Sequence, residues 1–328
     1  MGRLIVEDGG SWSGGGSAFL SNISYAMQRM PALSNLSEDV VLIPRNVPAN
    51  HRKPKTHRFV MAPQNAWPWS LRIGDNLERT KMTALRGATE YFVRKSDGLI
   101  RISSAIPVRG KNGQQVSPIL HNVLDEGYEA ALRASTGTTV PGASGAVVSV
   151  GSMNGYRNFE RLLDGYAIYR QQGGALPLFL AGTPSNAALV RRLYLKADEI
   201  PDVTIRAATL SRPESLAAMR DAAAVILPSL VEASPVAALE AASLCANVLC
   251  SDIVGHREIL EQATFGLWGG QYFDAVSLLA ISRALHQALD SSTLNREPVL
   301  GRSAAREDLR LRWATRLSSW VGGRYGRI

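Results

Sequence analysis

The chain has 328 residues, 45% of them apolar, with 36 Lys and Arg against 28 Asp and Glu for a net charge of +8. That length and apolar share allow a sizeable core and two domains, and they exclude a disordered or small disulfide-stapled class. No apolar run reaches 18 residues and no secretory leader pattern opens the chain, so a cytoplasmic protein is expected.

In chain order, residues 3–7 (RLIVE) read as a buried strand and residues 17–30 as a helix with Phe19, Leu20, Ile23 and Met27 on one face. Between them lies "GGSWSGGGS", a Gly/Ser-rich turn that reads as a spacer, a dinucleotide turn or a phosphate-holding loop. Further first-half strands are expected near 40–43, 59–62, 98–102 and 118–120. "STGTTVPGASG" (135–145) reads as an interdomain linker. The second half alternates apolar runs at 146–150, 177–181, 203–207, 224–228 and 248–251 with helical patterns at 158–171, 185–197, 213–222, 235–245 and 256–262. Such alternation predicts a doubly wound parallel sheet with ligands at the strands' carboxyl ends. Two Rossmann-like α/β domains with a cleft between them follow: an N-terminal domain over 1–140, a C-terminal domain over 141–302, and a basic amphipathic helix from 303 carrying Leu309, Trp313, Leu317 and Trp320, expected to cross back to the first domain.

The charge is uneven. Residues 1–133 carry a surplus of six positive charges and residues 296–328 of five, whereas 134–295 carry a deficit of three. An anionic partner met by one part of the molecule is expected. The densest cluster, "HRKPKTHR" (51–58), reads as a solvated loop or as a contact for an anionic acceptor or membrane surface. Basic stripes interleaved with aromatics are absent, which argues against nucleic acid. Cys245 and Cys250 read as buried apolar side chains, not as a metal or redox pair.

The chemistry concentrates in 227–260, where Glu232 and Glu240 stand eight apart across a strand–loop–helix junction. Ser234 is placed to cap and Pro235 to begin the helix, so the amides after Pro235 would face a phosphate. One carboxylate for hydroxyls at one end, amides for phosphate in the middle and a second carboxylate for another pair of hydroxyls suit a nucleotide-sugar.

"PSLVEASPVAALEAASLCANVLCSDIVGHREIL" (228–260) resembles the donor-binding segment of family-4 retaining glycosyltransferases, which have the GT-B fold. "VVSVGSMNGYRNFERLLDGYAIY" (147–169), "LFLAGT" (178–183), "SDGLIRIS" (96–103) with "SPILHNVLDEGYE" (117–129), and "GGGSAFLSNI" (14–23) are similar in order to other parts of that family. The resemblance implies a retaining transfer from a UDP-, GDP- or dTDP-linked sugar to a sugar, lipid-carrier or other hydroxyl acceptor. It implies that Glu232 meets the transferred sugar, Glu240 the ribose, and Arg157 with the backbone of Ser234, Pro235 and Val236 the leaving diphosphate, while Gly14 and Gly15 let the first domain's backbone approach the donor. Glu232 and Arg157 are therefore the expected catalytic residues.

The family often has an Arg where Ser152 stands, and a His where "APQNAWPW" (62–69) runs; Gln64 and Asn65 are expected to meet sugar or acceptor there. His121 reads either as such a contact or as a backbone-bonding residue at the hinge. His256 and Glu258 read as structural helix-start residues. No two aspartates stand two apart, so the metal-binding DxD of the other large glycosyltransferase fold is missing; no metal and no cofactor are expected. A nicotinamide-dependent dehydrogenase needs an acidic end to the second strand, and "VVLIPRN" ends in Pro-Arg-Asn. A non-catalytic nucleotide-sugar-binding protein stays open as the alternative.

Overall fold

A computed structural model describes residues 2–7, 15–46, 58–70, 76–263, 270–288, 298 and 303–325. The chain divides into two compact units. The first comprises Met1–Gly127, Glu232–Val236 and Ala304–Ile328, and the second Tyr128–Val231 and Ala237–Ser303.

The first unit holds a five-stranded parallel sheet of β1 (Leu4–Val6), β2 (Val40–Ile43), β3 (Arg58–Met61), β4 (Gly98–Arg101) and β5 (Gln115–Ile119). The strands lie side by side in chain order, so the sheet winds in one direction and has no reversal. Helix α1 (Gly15–Arg29) connects β1 to β2, and α2 (Asn76–Lys95) connects β3 to β4. Val40, Leu42, Ile43, Phe59 and Met61 are fully buried, as two-sided coverage of a parallel sheet requires. The next helix, α3 (Glu126–Ala134), carries the chain across the boundary between the units.

The second unit contains β6 (Val147–Val150), α4 (Phe159–Gln171), β7 (Leu178–Ala181), α5 (Ala187–Asp198), β8 (Val203–Arg206), α6 (Arg212–Arg220), β9 (Ala224–Leu227), α7 (Val236–Leu244), β10 (Val248–Ser251), α8 (Val254–Ala263), β11 (Gln271–Phe273) and α9 (Leu278–Gln287). Its parallel sheet has the order β11-β10-β9-β6-β7-β8, a doubly wound arrangement that reverses between β6 and β9. The strands read from apolar runs are where periodicity put them, because VVSV, LFLA, AVIL and VLCS are buried throughout. Val147, Leu178, Leu180, Ile226 and Leu249 pack with Tyr166, Tyr169 and Leu162 into its core.

Residues 135–145 are not a loose linker. They form turns within the second unit, and Arg220 donates to Ser135 O (2.9 Å) and Thr138 O (3.1 Å). Gly142 at φ +84° lies where a Cβ would meet Phe179 and Thr204 at 3.3 Å, so a left-handed backbone and close packing coincide there.

The final helix, α10 (Ser303–Tyr325), belongs to the first unit and packs on α1. Trp313 meets Phe19 edge-to-face at 5.6 Å, and Tyr25 Oη donates to Glu307 Oε1 at 2.6 Å. Leu309, Trp313, Leu317 and Val321 form the buried stripe; Trp320, expected on it, is half-exposed because Val321 is the position four residues beyond Leu317.

Candidate donor site

In an open α/β sheet the crevice forms outside the carboxyl ends of the strands at the point of reversal. In the second unit that point lies between β6 and β9, and the loops leaving these two strands are stitched together. Leu230 N–H donates to Tyr156 O at 2.8 Å, and Arg157 Nη1 donates to Ser229 Oγ at 3.3 Å. The local sequence builds this. Asn154 caps a short turn by accepting from Arg157 N–H (3.3 Å), and Asn158 takes a left-handed conformation (φ 63°) before α4 begins. Asn158 is locked by donating to Ala275 O at 2.8 Å. The Arg157 side chain folds over Gly151 at the strand end, where a Cβ would be in ordinary contact with Arg157 Nε at 3.4 Å.

A buried hydrogen-bond chain supports the β9 loop. Ser251 Oγ donates to Ser229 O at 2.5 Å, and His256 Nδ1 lies 3.0 Å from Ser251 Oγ and 3.1 Å from Ser251 O. With the Ser251 proton given to Ser229, His256 carries its own proton on Nδ1. At 1% exposure, His256 is a structural support for the loop that presents Ser229.

Glu240, in the second turn of α7, is paired with Arg212 at the start of α6. Nε and Nη2 of Arg212 each lie 2.9 Å from Glu240 Oε1. Ser211 and Glu214 form a capping box at this helix start. The Ser211 backbone N–H and hydroxyl, with the Arg206 guanidinium, hold the Glu214 carboxyl below the usual carboxylate range. Cys245, just before β10, and Cys250, within it, are both buried and unbridged, and burial pushes both thiols up.

The other sequence-derived residues fall in the first unit. Glu232, half-buried, begins the five-residue stretch Glu232–Val236 that clusters with that unit. Within it, Ser234 Oγ accepts from Asn122 N–H at 2.7 Å and Ser234 O accepts from Asn122 Nδ2 at 3.1 Å. Helix α7 begins at Val236, one residue after Pro235. His121, buried, precedes Asn122 just past β5. Gln64 Nε2 donates to Ala62 O at 3.0 Å. Asn65 N–H donates to Asn46 Oδ1 (3.0 Å) and Asn65 O accepts from Asn46 Nδ2 (3.2 Å), which ties the loops after β2 and β3. Gly15 is the first residue of α1. Gly14 and residues 51–57 of the basic cluster lie outside the described residues.

The structure thus brings Arg157 to Ser229, Glu240 to Arg212, and Ser234 to Asn122. Sequence reasoning missed Ser229, Arg212 and Asn122. Their partners are 72, 28 and 112 residues away, beyond the reach of any local pattern. Among the described residues no group of three His, Cys, Asp or Glu is placed to hold a metal ion, and no helix is long and apolar enough to cross a membrane.

Comparison with curated proteins finds no match. Among solved structures, the chain is similar to a UDP-forming α,α-trehalose-phosphate synthase from Burkholderia vietnamiensis (TM-score 0.58, 14% identity, covering 92% of this chain and 76% of that one). It is also similar to the Burkholderia xenovorans enzyme in complex with glucose-6-phosphate (0.58, 13%, 93% and 76%). A third similar structure is sucrose-phosphate synthase from Thermosynechococcus elongatus (0.62, 15%, 85% and 72%). Residues 138–298 match the family model of glycosyl transferases group 1, and the two parallel-sheet α/β domains are those of the GT-B fold.

Proposed function

We propose that the chain is a retaining glycosyltransferase that moves a sugar from a nucleoside-diphosphate sugar to a hydroxyl acceptor without a metal ion. The observation that carries this reading is the group 1 match over 138–298, which coincides with the sheet whose point of reversal presents Arg157 and Ser229. In the proposed reaction an acceptor hydroxyl oxygen bonds to the anomeric carbon on the face from which the diphosphate leaves. The carbon–oxygen bond to the diphosphate breaks, and the hydroxyl proton passes to the departing phosphate oxygen. The main demand on the protein is stabilisation of negative charge on that leaving group. Arg157 and the backbone at Ser234, Pro235 and Val236 supply it in this reading, with Glu232 on the transferred sugar and Glu240 on the ribose.

The acceptor is proposed to be anionic: a sugar phosphate, by analogy with the glucose-6-phosphate complex of a structural neighbour, or a phosphate-bearing lipid carrier at a cytoplasmic membrane face. The basic surplus of residues 1–133 supports this choice. Gln64, Asn65 and His121 are its proposed contacts.

Incubation with UDP-, GDP-, dTDP- and ADP-sugars, followed by proton NMR at the anomeric position and by release of nucleoside diphosphate, tests the reading. One donor is expected to turn over in EDTA, with glucose-6-phosphate as the first acceptor tried, and to give a product of unchanged anomeric configuration. Inversion would overturn the retaining mechanism, and loss of activity in EDTA would overturn metal independence. Binding of a donor with neither transfer nor hydrolysis would favour a non-catalytic binding protein.

A further inference from the structure

We infer that Arg212 is a positioning residue for donor recognition: it orients the Glu240 carboxylate, so that the pair rather than the carboxylate alone distinguishes ribose from deoxyribose. The inference rests on the donor-site reading above.

The geometry is specific. Arg212 donates its Nε–H to Oε1 of Glu240 at 2.9 Å, and Nη2 forms an ion pair with the same oxygen, also at 2.9 Å. The terminal torsion of a glutamate is otherwise broad, so a carboxylate on a helix does not present its oxygens in one direction unaided. A planar guanidinium that donates Nε–H to one oxygen and holds Nη2 beside it sets that direction, which a point charge would not.

The guanidinium is itself held. It lies 5.9 Å from the centre of the Tyr128 ring, and Tyr128 Oη is 2.6 Å from Ser243 Oγ, whose hydroxyl also bonds Glu240 O at 2.7 Å. Arg212, Tyr128, Ser243 and Glu240 therefore form a closed loop of contacts joining α6, α3 and α7. The Glu240 side chain is 11% exposed and that of Arg212 32%. With about a third of the Arg212 side chain in water, the pair adds little net stability. Beside a proposed ribose site the pair serves orientation: a hydroxyl pair is read only by an acceptor held within about half an ångström.

Isothermal titration of the wild-type protein with UDP, GDP and ADP, and with their 2′-deoxy counterparts, gives the reference ratio of dissociation constants. A hydroxyl bonded to a charged acceptor corresponds to about a ten- to hundredfold preference for the ribonucleotide. Arg212→Lys keeps the charge and loses the planar guanidinium. It is expected to cut that preference to about threefold or less, by weakening the ribonucleotide and leaving the deoxynucleotide within twofold, with an unchanged circular dichroism spectrum. Arg212→Ala should remove the preference, and Glu240→Gln should match it. A preference unchanged in Arg212→Lys, or a loss shared equally by both nucleotides, overturns the inference; the latter would put Arg212 on phosphate or base. Wild-type binding without ribose preference also overturns it while leaving the donor site standing. Wild-type failure to bind any of the six nucleotides or dTDP overturns the donor-site reading itself, before a variant is made, and binding of dTDP alone overturns the ribose inference only.

Discussion

Replacing Gly182 with alanine tests whether the floor of the candidate site is built as described. Gly182 follows β7, and a Cβ there would lie 1.5 Å from Gly151 O and 2.6 Å from Gly151 C. These are backbone atoms, so no side chain can turn aside. Reaching an ordinary carbon–oxygen contact of about 3.3 Å requires the two strand ends to part by about 2 Å. Two flanking bonds span that gap, Gly151 N–H to Ala181 O at 3.0 Å and Met153 N–H to Thr183 O at 2.8 Å. Losing both, with their groups left buried, costs about 2–4 kcal/mol. For a domain of this size that is a fall in melting temperature of about 5–15 °C.

The same displacement moves the loop that carries Arg157, and a misplacement of about 1 Å in a reacting group costs on the order of a hundredfold in rate. Thermal unfolding by circular dichroism and donor turnover at saturation measure the two effects. Gly87→Ala is the control, because it sits inside α2 with nothing within 4 Å of its Cβ and should stabilise by about 0.5–1 kcal/mol. Gly182→Ala with a melting point within 2 °C of wild type and turnover within about twofold would refute the account of this strand junction.

Arg157→Ala should lower turnover at saturating donor more than it raises the apparent donor constant, with partial recovery in Arg157→Lys; steady-state kinetics with unchanged turnover would assign the leaving-group charge elsewhere. Glu240→Ala should weaken nucleotide binding by about 1–3 kcal/mol, whereas Glu232→Ala should reduce turnover more than affinity; equal negligible effects in titration and rate assays would remove both from the site. At low pH, Asp252 and Glu214 should each withdraw stability. The Arg257 guanidinium holds the Asp252 carboxyl below its ordinary range, and Ser211 does the same for Glu214. A depressed folded pKa means the contribution is complete above the unfolded value near pH 4 and is lost as pH falls through the folded value. Urea midpoints should therefore drop below about pH 4 in wild type and drop less in Asp252→Asn, by an amount within about 1 kcal/mol for this exposed pair.

The second unit was legible because a buried parallel sheet needs strands that are mainly apolar on both faces, and four of its six are short, mostly apolar runs buried at every position. Its sixth strand, Gln271–Phe273, escaped because a three-residue edge strand with a half-exposed Gln271 carries no such run. Helix α2 escaped for another reason: NLERTKMTALRGATEYFVRK is mostly polar, and only Thr89, Phe92 and Val93 are buried among its described side chains. The order of the first sheet was illegible because four-residue strands carry no record of their neighbours. The stretch 135–145 read as an interdomain linker because of its Gly, Pro, Ser and Thr content, and there Gly137, Gly142 and Gly145 supply positive φ at +79°, +84° and +69° to turns within the second unit.

The eight-residue interval between Glu232 and Glu240 acquires a physical meaning from the division of the chain. Its first four residues and Val236 cluster with the first unit, where Asn122 grips both polar groups of Ser234. From Ala237 the chain belongs to the second unit, and Glu240 is fixed there by Arg212 and by the Ser243–Tyr128 contact. Ser234 and Glu240 are thus held by different supports although one short segment carries both. A helix turn of 3.6 residues puts Glu240 just over one turn past Val236, so the segment cannot slide to correct one carboxylate without displacing the other. Changes to Asn122 should therefore act first on Ser234 and the loop that carries Glu232, and changes to Arg212 on Glu240. In the proposed reaction these are separate tasks: positioning the sugar that is transferred, and holding the nucleotide that stays behind.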